Sequence, residues 1–171
     1  MEHKQLLTVF NSLPVGIGFF TADGTLVRCN ESFCRIFGAD SQTLLGNKLN
    51  INENSVVPDV VKEAVRRCVP VQMSFLYDFD KQRTDKRFFS TRTRTCYLKC
   101  NGNPLYDNDG KFVNYIFIFE DITETVKSEE VLRQSRRKTE LAMKAANIMF
   151  WEFDAVAKLF YSDNEPLNEI G

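Results

Sequence analysis

Histidine is almost missing from this sequence: among 171 residues there is one, His3, at what reads as a flexible start. Without a second imidazole, a His-based metal site, a Ser–His or Cys–His nucleophile pair and a proximal haem histidine have no candidate inside the fold. The five cysteines, Cys29, Cys34, Cys68, Cys96 and Cys100, are an odd number and lack CxxC spacing. That pattern fits reduced thiols better than a disulfide framework or a zinc site. An excess of one charge is lacking too. With 22 basic and 23 acidic side chains and a formal charge of -1, no broad field gathers phosphates, which argues against nucleic-acid binding and against direct contact with an anionic membrane. Apolar runs such as Tyr115 to Phe119 fall far short of the roughly 20 residues that cross a bilayer. The polar stretch Met1 to Gln5 does not resemble a secretory signal, so the segment reads as cytoplasmic, with any membrane anchor placed elsewhere in a longer parent.

What is present suits one packed domain with something left over, for 43% of the residues are hydrophobic and 12% aromatic. Val15 to Phe20 and Leu26 to Cys29 read as strands joined by the turn Ala22-Asp23-Gly24-Thr25. Asn30 can cap a helix over Glu31 to Phe37, with Gly38 as its left-handed stop. Ser41 is placed to cap a second short turn through Leu44 and Leu45, ended by Gly46, and the Asn-rich stretch 47–55 reads as loop. Val57, Val60, Val61, Ala64, Val65 and Cys68 recur at helical spacing opposite Lys62, Glu63, Arg66 and Arg67, with Pro58 in the first turn and Pro70 beyond the end. The period then changes: Val71, Met73, Phe75, Tyr77 and Phe79 alternate with polar residues as in a half-buried strand. Lys81 to Arg87 is a charged loop, Phe88 to Cys100 a long strand, and Asp107-Asn108-Asp109-Gly110 a turn into a last strand, Lys111 to Glu120. This order defines an α+β domain with an antiparallel sheet.

From Thr123 to about Asn147 charged residues and good helix formers take over, which predicts a connector helix. Its seam of Thr125, Glu129, Leu132, Thr139 and Ala146 is too polar for a tight permanent coiled coil. Beyond it, Asn147 to Gly171 repeats the order of Val15 to Gly38: strand, turn, strand, polar cap, helix start, glycine. The predicted organisation is therefore a domain over 1–122, a connector over 123–147 and the start of a second, truncated unit over 148–171.

Several segments resemble the PAS family of cytoplasmic sensor modules: Gly24 and Asn30 around the first hairpin, Phe33 to Gly38, Leu44-Leu45-Gly46, Asn103-Pro104-Leu105 with Asp107 to Gly110, and Glu120-Asp121-Ile122-Thr123-Glu124. The last is the most specific, since it is similar to the Asp-Ile-Thr triplet with which PAS domains hand over to an output helix. The resemblance implies a five-stranded antiparallel sheet with helices across one face, enclosing a cavity. On the last strand Val113, Tyr115, Phe117 and Phe119 share one face and Asn114, Ile116 and Ile118 the other. By analogy the first set points inward with Leu98, Cys100 and Gly102, closed over by Phe33 and Phe37 and by Val61 and Val65. Two readings of that interior stand: a filled core, each ring contributing roughly 1.5 to 3 kcal/mol, or a pocket for a small apolar or aromatic ligand.

The cofactors of the family find few matching residues. Where photoactive flavin-binding members carry a reactive cysteine the chain reads Gly46-Asn47-Lys48-Leu49, and Phe119 stands at the usual flavin-contacting glutamine. Cys34 lies one helix too early, and haem lacks its axial histidine, so no cofactor is predicted. Cys96 and Cys100, four apart on one strand, would lie roughly 13 Å apart and read as packing thiols; Cys68, beside Arg66 and Arg67, is the one with cationic neighbours. Asp121, Ile122 and Thr123 carry two compatible roles: Asp121-x-x-Glu124 has capping-box spacing, and the family implies coupling from sheet to outgoing helix. The resemblance implies a non-catalytic signal-transduction module of a bacterial two-component sensor histidine kinase, acting in a phosphorelay. Its partners would be a second copy, paired through the connector as a homodimer, and the downstream kinase domains. A cyclic-dinucleotide synthase output and a dimerisation-only scaffold are the alternatives.

Overall fold

The computed structural model describes residues 2–82, 90–146, 151–154, 159–162 and 165–166. The chain divides into two compact units, Met1–Glu124 and Thr125–Gly171. In the first, helix α1 (Glu2–Ser12) leads into strands β1 (Gly16–Phe20) and β2 (Leu26–Cys29). Helix α1 corrects the expectation of a flexible start. Its apolar Leu6, Leu7 and Val9 are exposed, so it shows no strong inward stripe that composition could reveal.

Helix α2 (Glu31–Phe37) begins as expected: Asn30 is extended and its side chain accepts from the Phe33 amide. It ends at Gly38, whose φ of 64° lies in the left-handed region that costs a side-chain-bearing residue most. Helix α3 (Ser41–Gly46) is capped one residue earlier than expected, by Asp40, which accepts from the Thr43 amide at 2.7 Å. A carboxylate beside the serine takes the orphan donor, and Ser41 becomes the first helical residue. Helix α4 (Asp59–Arg67) stops at Cys68, which adopts φ 52°, so this thiol closes the helix instead of continuing its stripe.

Strand β3 (Val71–Asp78) gives way to a single helical turn, α5 (Phe79–Gln82). Phe79 was expected in the strand; the Asp78 carboxylate accepts from the Lys81 amide at 2.9 Å and turns the chain, and the Phe79 ring remains buried. Strand β4 (Thr95–Tyr106) starts later and runs further than the expected Phe88 to Cys100. Just upstream, the Thr91 amide donates to the Gly38 carbonyl and the Ser90 hydroxyl to the Phe37 carbonyl, each at 2.7 Å. These groups satisfy the end of α2 and are lost to the ladder. Residues 83–89, most of the expected charged loop, lie outside the described residues. Strand β5 (Phe112–Asp121) completes a five-stranded antiparallel sheet of order β2-β1-β5-β4-β3.

The alternation read from the sequence sets the faces. Cys96, Leu98, Cys100 and Gly102 on β4 and Tyr115, Phe117 and Phe119 on β5 are buried under the helices, while Ile118 and Leu76 are exposed on the other face. Val113, expected inward, is exposed at the strand's beginning. Helix α6 (Thr123–Ala145) follows β5 directly and has no buried residue. The second unit also contains a three-stranded antiparallel sheet: β6 (Trp151–Asp154), β7 (Leu159–Ser162) and β8 (Glu165–Pro166). Glu165 and Pro166 pair with β7 instead of opening a helix. Among the described residues no helix is long and apolar enough to cross a membrane.

Candidate functional site

The predicted site residues fall at two places in the first unit: a void in the aromatic core and the junction where β5 becomes α6.

The void measures about 20 Å³ and is lined by Phe33 and Phe37 from α2, Val61 from α4, Phe119 from β5, and by Phe20, Phe75, Tyr77, Ile51 and Asn54, among others. It holds one water-sized solute at most. Its rings brace one another: Phe33 and Phe37 lie 4.5 Å apart by centroid, and Phe37 meets Phe119 edge-on at 5.3 Å. Its polar lining comes from Tyr77, Asn50 and Asn54. Tyr77 donates its hydroxyl to Gln82 Oε1 and accepts from Asn54 Nδ2 at 3.1 Å. Burial pushes the Tyr77 hydroxyl far above its ordinary range, so it stays a neutral donor.

Of the sequence-predicted residues, Phe33, Phe37, Val61 and Phe119 meet at the void. Val65, Leu98, Cys100, Tyr115 and Phe117 are buried beside it as packing. Gly102 faces inward, and the space above it belongs to rings: an added Cβ would collide with the Phe117 ring edge and come within 2.7 Å of Tyr115. The Tyr115 hydroxyl leaves the apolar layer to donate to the Val69 carbonyl. Burial raises the Cys96 and Cys100 thiols to about 11 and about 12, and since both are fully buried, out of reach of solutes, they act as packing thiols. Phe20, Tyr77 and Asn54 at the void were not singled out by the sequence, although Tyr77 stood on the inward face of its strand.

At the junction, Thr123 Oγ1 accepts from the Tyr97 amide at 2.9 Å, and the Ile122 amide donates to the Tyr97 carbonyl at 2.9 Å. The first turn of α6 is thus tied to β4 by backbone as well as side chain. Asp121 Oδ1 accepts from the Thr123 amide at 3.1 Å and from its hydroxyl at 2.5 Å. The other oxygen pairs with Arg92 Nη2 at 2.9 Å. Burial alone would raise the Asp121 pKa; the hydrogen bonds from Thr123 and Arg92 and the Arg92 charge outweigh it and hold the carboxyl below its ordinary value. Arg92 reaches further. Its Nη1 donates to the Ile36 carbonyl at 2.9 Å, and its guanidinium lies 5.2 Å from the Phe79 ring centroid. One side chain therefore joins the end of α2 to the start of α6. Nothing in the sequence marks Arg92 among its basic neighbours, because the pairing spans the sheet.

With this geometry described, comparison with known proteins assigns the class. A family model described as PAS fold matches residues 10–127, and the chain belongs to the PAS family, a class of sensory and signal-transduction modules. A probable diguanylate cyclase, DgcE of Escherichia coli strain K12, is 21% identical over 149 residues, which is 87% of this chain and 13% of that protein. The chain thus spans a small part of that curated relative. Among solved structures, an RNA-binding light-oxygen-voltage receptor aligns with a TM-score of 0.59 at 18% identity, over 79% of this chain and 37% of that one. The PAS domain of a two-component sensor histidine kinase aligns with a TM-score of 0.52 at 14% identity, over 70% of this chain and 96% of that one.

Proposed function

We propose that this PAS domain is the input module of a longer multidomain signalling protein, converting changes in core packing into movement of α6. The observation that carries the reading is the Arg92 bridge: α2 supplies Phe33 and Phe37 to the void, and its Ile36 carbonyl is linked through Arg92 to Asp121 at the head of the outgoing helix. A shift of α2 is thereby felt where α6 begins. The input suited to such a core is a small apolar or aromatic molecule that displaces the rings lining the void. The departures from the flavin-binding pattern at Gly46-Asn47-Lys48-Leu49 and Phe119 favour such a ligand over a flavin.

The output element is α6, paired with its counterpart in a second copy. Of the seam Thr125, Glu129, Leu132, Thr139 and Ala146, Leu132 is the exposed large apolar member, which leaves a weak seam that small rotations can shift. In this reading residues 148–171 open a second PAS unit, supported by the β6–β7 hairpin that repeats the plan of β1–β2. For the parent's activity, a sensor histidine kinase is the reading drawn from family habit. The second reading, a cyclic-dinucleotide synthase, is favoured by the diguanylate cyclase relative. Leu132→Cys crosslinking in the full-length protein, with and without Arg92→Ala, tests the relay. Dimer crosslinks whose yield changes on loss of Arg92 are expected; an absence of dimer crosslinks in both proteins overturns the paired-helix output.

A further inference from the structure

Cys29 ends β2 and Cys34 lies in the middle of α2, and their sulfurs are 3.8 Å apart, in van der Waals contact. The thiols do not make this approach by themselves. Between them stands Asn30, fully buried, whose side-chain oxygen accepts from the Ile17 amide at 2.8 Å and the Phe33 amide at 2.9 Å. Its side-chain nitrogen donates to the Phe10 carbonyl at 3.0 Å and the Val15 carbonyl at 2.9 Å. Its backbone amide binds the Ile17 carbonyl, and its carbonyl accepts from the Cys34 amide. The corner joining β2 to α2 is thus locked independently of sulfur chemistry, and it holds the two thiols against each other. Both are half-buried, within reach of a small solute.

We propose that Cys29 and Cys34 form a reversible dithiol–disulfide pair, oxidised by hydrogen peroxide and reset by small thiols. The Cys34 thiolate attacks one peroxide oxygen, the O–O bond breaks and the first water leaves, giving a sulfenic acid. The Cys29 thiolate then attacks that sulfur, the S–S bond forms and the second water leaves. In sum two thiols give up two protons and two electrons, and one peroxide becomes two waters. Burial raises both thiols, and together with the neighbouring Cys34 it takes Cys29 to about 12. Only the thiolate attacks, so oxidation accelerates as pH rises.

Bond formation brings the sulfurs from 3.8 Å to about 2.05 Å, which pulls on α2 against the Asn30 corner. Helix α2 bears the Ile36 carbonyl held by Arg92, so the closure loads the link to Asp121. This consequence, though not the chemistry, rests on the sensory reading above.

Trypsin cleavage after Arg28 and Arg35 releases residues 29–35, which contain both cysteines. After peroxide treatment of the intact chain and alkylation, this peptide is expected unalkylated and lighter by two hydrogens, and fully alkylated once dithiothreitol has been added. Cys34→Ser and, as a second variant, Cys29→Ala should each abolish the linked form. Retention of two alkylated thiols under peroxide, or linkage of either cysteine to another peptide, overturns the pair. Where the linked form is found, amide exchange at Ile122 and Thr123 should shift by roughly fivefold or more on oxidation of the wild type and not of Cys34→Ser. Unchanged exchange overturns the coupling, and the Leu132→Cys crosslinks test the sensory reading separately.

Discussion

Asn30 shows how much one side chain decides. It caps α2, fixes β1 through the Ile17 amide and anchors the end of α1 through the Phe10 carbonyl. Substituting Asn30→Ala removes a helix cap worth about 1 kcal/mol and strands buried amides and carbonyls at about 1 to 3 kcal/mol more. Chemical denaturation should therefore show a loss of about 2 to 4 kcal/mol, well above that of an exposed cap such as Asp40→Ala. Gly102 makes a complementary case. Its neighbours Tyr115 and Phe117 stack with ring centroids 4.8 Å apart over the place its side chain would occupy. Gly102→Ala should lower stability by about 1 to 3 kcal/mol through overpacking, measured as a shift of the unfolding midpoint with an unchanged denaturant slope. The strand alternation made Gly102 legible as an inward residue. That rings cover it could be learned only from the packing of β4 against β5.

At the scale of elements the decisive contact is β5 to α6. Thr123→Val keeps the shape of the side chain while removing the acceptor for the Tyr97 amide and the donor to Asp121. It should cost about 1 kcal/mol and raise amide exchange at Tyr97 and Ile122 ahead of the rest of the sheet. Asp121 adds a pH dependence whose sign is fixed by its depressed pKa. A group held below its unfolded value, about 3.9, contributes stability above that pH and loses it as pH falls through the folded value. Asp121→Asn should therefore be less stable than wild type near neutrality, and thermal melts should show the gap closing below about pH 4. The Asp-Ile-Thr triplet was readable because it is contiguous. Arg92 and Tyr97, its partners, were not, because β4 reaches the triplet through a non-local ladder in which Leu98 pairs with Asp121.

On the scale of the molecule, protection should be unevenly distributed. Among the described residues the buried hydrophobic ones lie within Met1–Glu124, whereas α6 has none. Native-state hydrogen exchange should find β4 and β5 among the last to open and residues 126–145 near the fast limit in dilute protein. Protection of α6 that rises with protein concentration would mark its pairing with a second copy; fast exchange at every concentration would oppose the homodimer.

Apart from α1, the single turn α5 and β8, the order of strands and helices was already determined by the sequence, as were the inward faces of β3, β4 and β5, the Asn30 and Gly38 boundaries of α2 and the place of the outgoing helix, because periodicity and capping are local and act within a few residues. The contact of Cys29 with Cys34, the size of the core void and the choice of Arg92 as the bridge from α2 to α6 were decided only by the tertiary structure. Each depends on how a helix settles on a sheet, and distances of that kind are set by side-chain packing between segments far apart in the chain.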